Sequence, residues 1–121
     1  MARGVIRLEG GQQVNVLIAE TPAQRHAGMQ HLCPEAIART PMLFLFDAPT
    51  TPRFHMDNVH AALDIVFVSA DGGVVAVDSM TPGQNWLTAP PGPVIAALEM
   101  AAGDAEALGV QVGQPLHWKH D

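Results

Sequence analysis

The stretch from Met42 to Ser69 constrains the fold most, because two apolar runs of β-type residues flank a polar segment there. The first run is Met42–Phe46 and the second is Leu63–Val68, and both are rich in the aromatic and β-branched residues that favour strands. Between them lie a proline-marked turn and the polar residues of Phe54–His60. Rigid strands commonly position functional loops, so this stretch predicts a polar site held on a β scaffold.

Two β-hairpins are predicted, each from a pair of β-type runs that glycine-containing turn residues connect. The first hairpin joins Val5–Leu8 to Gln13–Ala19, and the second joins Leu63–Val68 to Val74–Val77. Two further strands are expected, at Val94–Met100 and at the C-terminal run 114–118. The chain therefore contains enough strands for one sizeable sheet.

Short helices are predicted where capping residues precede them. Thr21 and Gln24 form a capping box around Pro22, so a helix should begin there and run to about Ala27, where Gly28 ends it. Further helical turns are expected at residues 34–37 and 104–109, the first because Pro34 suits a helix start.

Strands outnumber helices, and no alternation of strand and helix typical of a parallel sheet appears. We therefore expect residues 1–121 to form a single domain of the mainly β (α+β) class: a small antiparallel β-barrel or sandwich with one or two short helices packed against it. A hydrophobic fraction of 48% is typical of one packed core. Residues 48–52 are expected to be irregular, 54–57 to enter the sheet, and Ser79–Pro93 to form a long loop.

Charge and composition exclude several partner classes. Twelve acidic and six basic residues give a formal charge of −6, and no run of lysine or arginine exists, so nucleic acid and anionic membrane surfaces are not expected partners. The N-terminus shows neither a signal peptide nor a membrane span. The chain as it stands predicts a cytoplasmic protein, and a periplasmic one if an export signal preceded this N-terminus.

Ordered sequence blocks resemble those of a known family. The blocks are Glu20-Thr21-Pro22-x-x-Arg25-x-x-Gly28-Met29, Met42-Leu43-Phe44-x-Phe46-Asp47, Phe54-x-Met56-x-Asn58, Leu63-Asp64-Ile65-x-Phe67-Val68-x-x-Asp71-Gly72, Leu98-Glu99, Gly103 and Gly109-Val110-x-x-Gly113. In these blocks nearly the whole chain resembles the DUF192 (UPF0127) family of prokaryotic proteins, whose fold is small and rich in β-structure and whose function is not established. The chain departs from the family pattern at His55-Met56-Asp57-Asn58-Val59, where members usually show a Trp-Met-Lys-Asn-Thr type of sequence.

His55, Asp57 and His60 form the sharpest local pattern in the chain. On an extended segment, residues two apart share a face, so His55 and Asp57 can meet one ion or proton, and His60 joins them if the chain turns at Asn58. Three protein ligands with one open position suit a catalytic divalent metal such as zinc. The competing interpretation is a solvated polar strand face with no chemistry.

Three other residues are candidates for a ligand site. Asp64 stands alone in an apolar run, so it either accepts hydrogen bonds from backbone N–H groups or Arg53, or serves a site. Asn58 suits a left-handed turn, which is a structural role. Trp86, which follows Gln84 and Asn85, could grip a planar ligand or cover the core.

The leading hypothesis is a non-catalytic small-ligand-binding or accessory domain, with no cofactor predicted. A polar face formed by His55, Asp57, Asn58 and Asp64, with Trp86 in the Ser79–Pro93 loop as its roof, would accept a small molecule or a segment of a protein partner. If the family shares one function, Asn58 and Asp64 are the better candidates, because His55 and Asp57 depart from the family pattern. The alternatives are a metal-assisted or acid–base hydrolase using His55, Asp57 and His60, and a protein-interaction module.

Overall fold

A computed structural model describes all 121 residues, which form seven strands and three short helices. None of the helices is long and apolar enough to cross a lipid bilayer. In chain order the elements are β1 (Ala2–Leu8), β2 (Gln13–Ala19), α1 (Pro22–Ala27), α2 (Pro34–Arg39), β3 (Met42–Thr50), β4 (Leu63–Val68), β5 (Val74–Met80), β6 (Val94–Ala101), α3 (Asp104–Ala107) and β7 (Leu116–His120).

All seven strands belong to one sheet, in the order β5-β4-β6-β3-β2-β1-β7. The mainly β class is confirmed, but the barrel or sandwich is supported only in part, because the sheet is not closed. The segments just before the edge strands β5 and β7 meet at an isolated bridge between Gly73 and Pro115, where Val74 N–H donates to Gln114 and Leu116 N–H donates to Gly72.

One strand pair is parallel, which differs from the expected antiparallel arrangement. Residues Leu17–Ala19 of β2 run alongside Met42–Phe44 of β3 in the same direction. Parallel neighbours need a crossover connection, and here α1 and α2 provide it. The crossover places both helices on one face of the sheet.

Each face of the sheet carries its own apolar core. The face covered by α3 buries Ile6, Ile18, Leu43, Val66, Leu98, Met100 and Ala105 among others. The face covered by α1, α2 and the segment 51–62 buries Met29, Ile37, Met42, Phe44, Met56, Val59, Ile65 and Phe67 among others. Side chains alternate between these two cores along each central strand.

The proline-rich connections differ from expectation. β3 continues to Thr50, through residues expected to be irregular, and its pairing with β6 shifts register between Leu45 and Thr50. Such an irregularity accommodates Pro49, which cannot donate to a regular ladder. Conversely, residues 54–57 form no strand, and Phe54 makes only an isolated bridge to Thr88.

Helix α1 has the predicted boundaries. Thr21 accepts from the backbone N–H of Gln24, and the Gln24 side chain accepts from the backbone N–H of Thr21, so the capping box is complete. Gly28 follows the helix with a positive φ of 49° and lies against the Phe44 ring. The cap therefore determines where the chain leaves the helix and meets the sheet.

Replacing Thr21 with alanine is expected to cost about 1 kcal/mol of stability, because the N-cap acceptor is lost. Thr21→Ser keeps the hydroxyl, and its stability is expected to stay within about 0.3 kcal/mol of that of the wild type. Urea denaturation of the three proteins measures this difference. Equal midpoints for the alanine and serine variants would show that the cap does not stabilise α1.

Candidate functional site

A cavity of about 240 Å³ opens on the face of the sheet that α1 covers. Its walls come from the end of α1, from β3, from the segment 52–59 and from β6. The lining residues are Arg25, His26, Ala27, Gly28, Met29, Gln30, Phe44, Phe46, Pro52, Arg53, Phe54, His55, Val59 and Glu99. The cavity therefore lies between the C-terminal end of α1 and the centre of the sheet.

Glu99 is the buried ionisable group of this cavity, and the residue is only 4% exposed. It lies in the middle of β6, paired with Met42 of β3 on one side and Ile65 of β4 on the other. Both neighbours are completely or almost completely buried apolar residues. Strand alternation thus aims a carboxyl group at the cavity from the centre of the sheet.

No protein group donates a hydrogen bond to the Glu99 carboxyl group. Burial is the sole cause that acts on its acidity, and it raises the pKa of Glu99 from 4.5 to about 8. Every fully enclosed side-chain oxygen in the protein has a hydrogen-bond partner. Because the Glu99 oxygens have no such partner, they are not fully enclosed and remain accessible from the cavity. At neutral pH the group is therefore mostly protonated and open to a ligand.

Aromatic rings form the apolar wall of the cavity. Phe54 packs edge-on against Phe44 with ring centroids 5.3 Å apart, and it also contacts Phe67 at 6.0 Å. Edge-to-face packing of this kind holds rings in fixed positions. Phe46 adds a third ring to the lining, half-buried beside Arg25.

Two arginines line the cavity in very different states. Arg25 Nη1 donates to the backbone carbonyls of Glu20 at 2.7 Å and Leu45 at 2.9 Å, and its guanidinium lies 4.0 Å from the Asp47 carboxylate. Arg53 is exposed and has no carboxylate within ion-pair distance. Arg25 thus holds α1 to β3, while Arg53 is free to meet a ligand.

His55 and Asp57 lie close together, although residues 54–57 do not form the strand from which the sequence predicts their proximity. The His55 Nδ1 atom accepts from the backbone N–H of Asp57 at 3.1 Å and lies 3.8 Å from its carboxylate. His55 also lines the cavity, whereas Asp57 is exposed and does not. His60 does not join them, since the structure contains no group of three His, Cys, Asp or Glu side chains that could hold a metal ion.

Asn58 has the left-handed backbone expected of it, with φ of 59°. Its carbonyl accepts from the His31 N–H at 2.8 Å, and its side chain donates to Gln30 at 3.3 Å. Asn58 therefore ties the segment 51–62 to the chain that follows α1.

Asp64 and Trp86 lie apart from this cavity. Asp64 points to the opposite face of the sheet, where its Oδ2 atom accepts from the backbone N–H groups of Gly103 at 2.9 Å and Ala105 at 3.1 Å. Trp86 is 58% exposed, and no residue of the loop 81–93 lines the cavity, so the loop does not form its roof. The loop does contact the site segment through the bridge from Thr88 to Phe54.

Glu99 was not selected as a site residue by sequence reasoning, although two signals marked it. It is the only charged residue in the apolar run 94–101, the same pattern that drew attention to Asp64. It also lies in one of the family blocks, Leu98-Glu99.

Comparison with known proteins agrees with this architecture. A candidate transcription regulator from Sinorhizobium meliloti 1021 has a similar crystal structure, with a TM-score of 0.83 and 26% identity over 97% of this chain and 92% of that one. A protein of unknown function from Novosphingobium aromaticivorans DSM 12444 has a TM-score of 0.81 and 27% identity over 96% of this chain and 84% of that one. No curated protein matches the chain.

The family model that matches is DUF192, described as "Uncharacterized ACR, COG1430", and it covers residues 5–118. The match includes every element that builds the cavity, from α1 to β6. The chain therefore belongs to the DUF192 family.

Proposed function

We propose that this protein is a non-catalytic small-molecule-binding domain whose site is the cavity above Glu99. One observation carries the proposal: Glu99, a residue that is only 4% exposed and receives no hydrogen bond from a protein group, faces a cavity that combines aromatic rings with basic side chains. Clefts in which an apolar wall meets a few convergent polar groups are typical ligand sites.

The position of Glu99 disfavours the ionised form of its carboxyl group. Burial raises the pKa of Glu99 to about 8, and no protein group donates a hydrogen bond that would counter this effect. Asp64, also in the sheet, shows the opposite case, because α3 supplies two N–H partners for it. A ligand that donates a hydrogen bond or carries a positive charge would stabilise the ionised form of Glu99.

The proposal keeps part of the site predicted from the sequence. His55 lines the cavity and Asn58 holds the wall segment in position, so both remain in the site. Glu99 takes the place of Asp64 as the buried acidic group. Asp57 supports His55 through its backbone N–H, and Trp86 lies outside the cavity.

Acid–base catalysis is the second candidate, and the raised pKa of Glu99 favours it. A carboxyl group whose pKa lies near 8 can both donate and accept a proton close to neutral pH. The ligand's own NMR spectrum separates the two functions. A bound ligand that stays chemically unchanged over a day supports a binding domain, whereas accumulation of a product supports catalysis.

Ligand screening by thermal shift tests binding itself, with sugars, nucleotides, peptides, organic amines and metal ions as the classes. A ligand at 100 times its Kd stabilises the folded state by about 2.7 kcal/mol, which raises Tm by several degrees in a domain of this size. No stabilisation by any class would contradict the proposal.

A matched pair of variants localises the binding. Ala27 and Ala23 are both exposed on α1, but only Ala27 lines the cavity. Ala27→Trp places a bulky ring at the cavity and is expected to abolish stabilisation by the ligand, while Ala23→Trp preserves it. Equal responses from the two variants would place the ligand elsewhere.

A further inference from the structure

Resting on the proposed function, we infer that the ligand is a small zwitterion whose amine pairs with Glu99 and whose carboxylate pairs with Arg53. The amine end lies deep in the cavity and the carboxylate at its rim. An apolar body connects the two charged ends and packs against the phenylalanine rings.

The deep end of the cavity offers an acceptor and no competing cation. The neighbours of Glu99 across the sheet are Met42 and Ile65, and its neighbours along the same face of β6 are Ala97 and Ala101, all without donors. An ammonium group supplies three N–H donors to such a carboxylate and neutralises it on binding. An isolated ionised carboxylate in an apolar setting is otherwise costly.

The rings of the wall also suit a cation. Phe44 and Phe54 both contribute to the lining, and their rings pack at an angle of 77°, whereas the Phe46 ring already lies beneath the Arg25 guanidinium. Ring faces attract ammonium groups, and the attraction strengthens where water is excluded. The same rings accept the apolar body of the ligand.

The rim favours a negative charge. The other charged or titratable residues of the lining are Arg25, His26, Arg53 and His55, and no second acidic residue contributes to it. Arg25 is already committed to two carbonyls and Asp47, whereas Arg53 has no ion pair. A carboxylate accepts two parallel N–H bonds from a free guanidinium, which matches Arg53.

The cavity volume of about 240 Å³ suits a small molecule. The probe 6-aminohexanoate, with roughly nine non-hydrogen atoms, has a matching size. Ligands this small bind in about the millimolar range, which NMR titration of the ¹⁵N-labelled protein measures well.

Four probes of equal chain length separate the contributions of the amine, the carboxylate and the apolar body to the binding affinity. They are 6-aminohexanoate, hexylamine, hexanoate and 1-hexanol. We expect 6-aminohexanoate to bind most tightly and hexanol most weakly, with shifts at Gly28, Met29 and Val59 in the lining. Glu99→Gln is expected to weaken both amines by about tenfold or more and to leave hexanoate unaffected. Arg53→Gln is expected to weaken 6-aminohexanoate to the affinity of hexylamine.

The pH dependence provides a second readout. If the amine binds ionised Glu99, its affinity rises about tenfold between pH 6 and pH 7, because the pKa of Glu99 lies near 8. Two histidines, His26 and His55, also line the cavity, so Glu99→Gln is the control. That variant is expected to lose the tenfold rise while keeping both histidines.

The outcomes separate this inference from the proposed function. Tighter binding of hexanol or hexanoate than of the two amines, at the same lining residues, would overturn the zwitterion and leave the cavity as a binding site. Shifts outside the lining, or no shifts with any probe at high concentration, would overturn both.

Discussion

Raising the pH from 5 to 9 is expected to lower the free energy of unfolding by about 4 kcal/mol through Glu99 alone. The pKa of Glu99 is about 8 in the folded protein and near 4.5 in the unfolded chain. Between these values the unfolded chain releases a proton that the folded protein keeps, so stability falls by about 1.4 kcal/mol per pH unit. The loss begins above pH 4.5 and is nearly complete above pH 8.

Urea denaturation of wild type and Glu99→Gln at each pH from 5 to 9 isolates this contribution. Glutamine keeps the shape of the side chain but cannot ionise, so the difference between the two proteins should grow in favour of the variant as the pH rises. Glu9→Gln, in the exposed β1–β2 turn, is the matched control and should follow wild type. Parallel curves for wild type and Glu99→Gln would mean that Glu99 has an ordinary pKa.

Asp64→Ala is expected to destabilise the protein by about 2–4 kcal/mol. The Asp64 carboxylate accepts from the N–H groups of Gly103 and Ala105, and each such bond to a charged group contributes about 1.5–3 kcal/mol before relaxation. Asp64→Asn keeps an acceptor oxygen, so about half of that loss is expected. Asp78→Ala is the control, because Asp78 is exposed and accepts only from the adjacent Ser79 N–H.

The same variant tests whether Asp64 contributes to the ligand site. Asp64 lies on the face of the sheet opposite the cavity, so Asp64→Asn is expected to leave 6-aminohexanoate binding unchanged. The stability is measured by urea denaturation and the binding by NMR titration. An Asp64→Ala variant as stable as Asp78→Ala, or weaker probe binding by Asp64→Asn, would contradict these assignments.

Local sequence signals predicted most of the elements. The capping box at Thr21 and the stop at Gly28 set both ends of α1, and β-type runs with an Asp-Gly-Gly turn produced the β4–β5 hairpin. These features depend on interactions within a few residues, which a sequence displays directly. The parallel pairing of β2 with β3 depends on residues far apart in the chain, and no local pattern encodes it.

Local signals say less about the candidate site. The left-handed turn at Asn58 follows from its side-chain chemistry, but His55 and Asp57 lie 3.8 Å apart without the strand that the sequence predicts for them. Asp64 and Glu99 have the same signature, one acidic residue in an apolar strand, yet they point to opposite faces of the sheet. The two residues differ in what packs over their face of the sheet. The α3 region provides N–H donors for Asp64, whereas the crossover between β2 and β3 leaves a cavity at Glu99.

The ionisation of Glu99 tests the central claim most directly, and the ¹³C shift of its carboxyl carbon reports it during a pH titration. Comparison with Glu99→Gln assigns the resonance. We predict a midpoint near pH 8 in the free protein and a lower midpoint with 6-aminohexanoate bound, because the amine stabilises the ionised form. A midpoint near 4.5, unchanged by every cavity ligand, would show that Glu99 is solvated and that the cavity holds no buried acid for a ligand to meet.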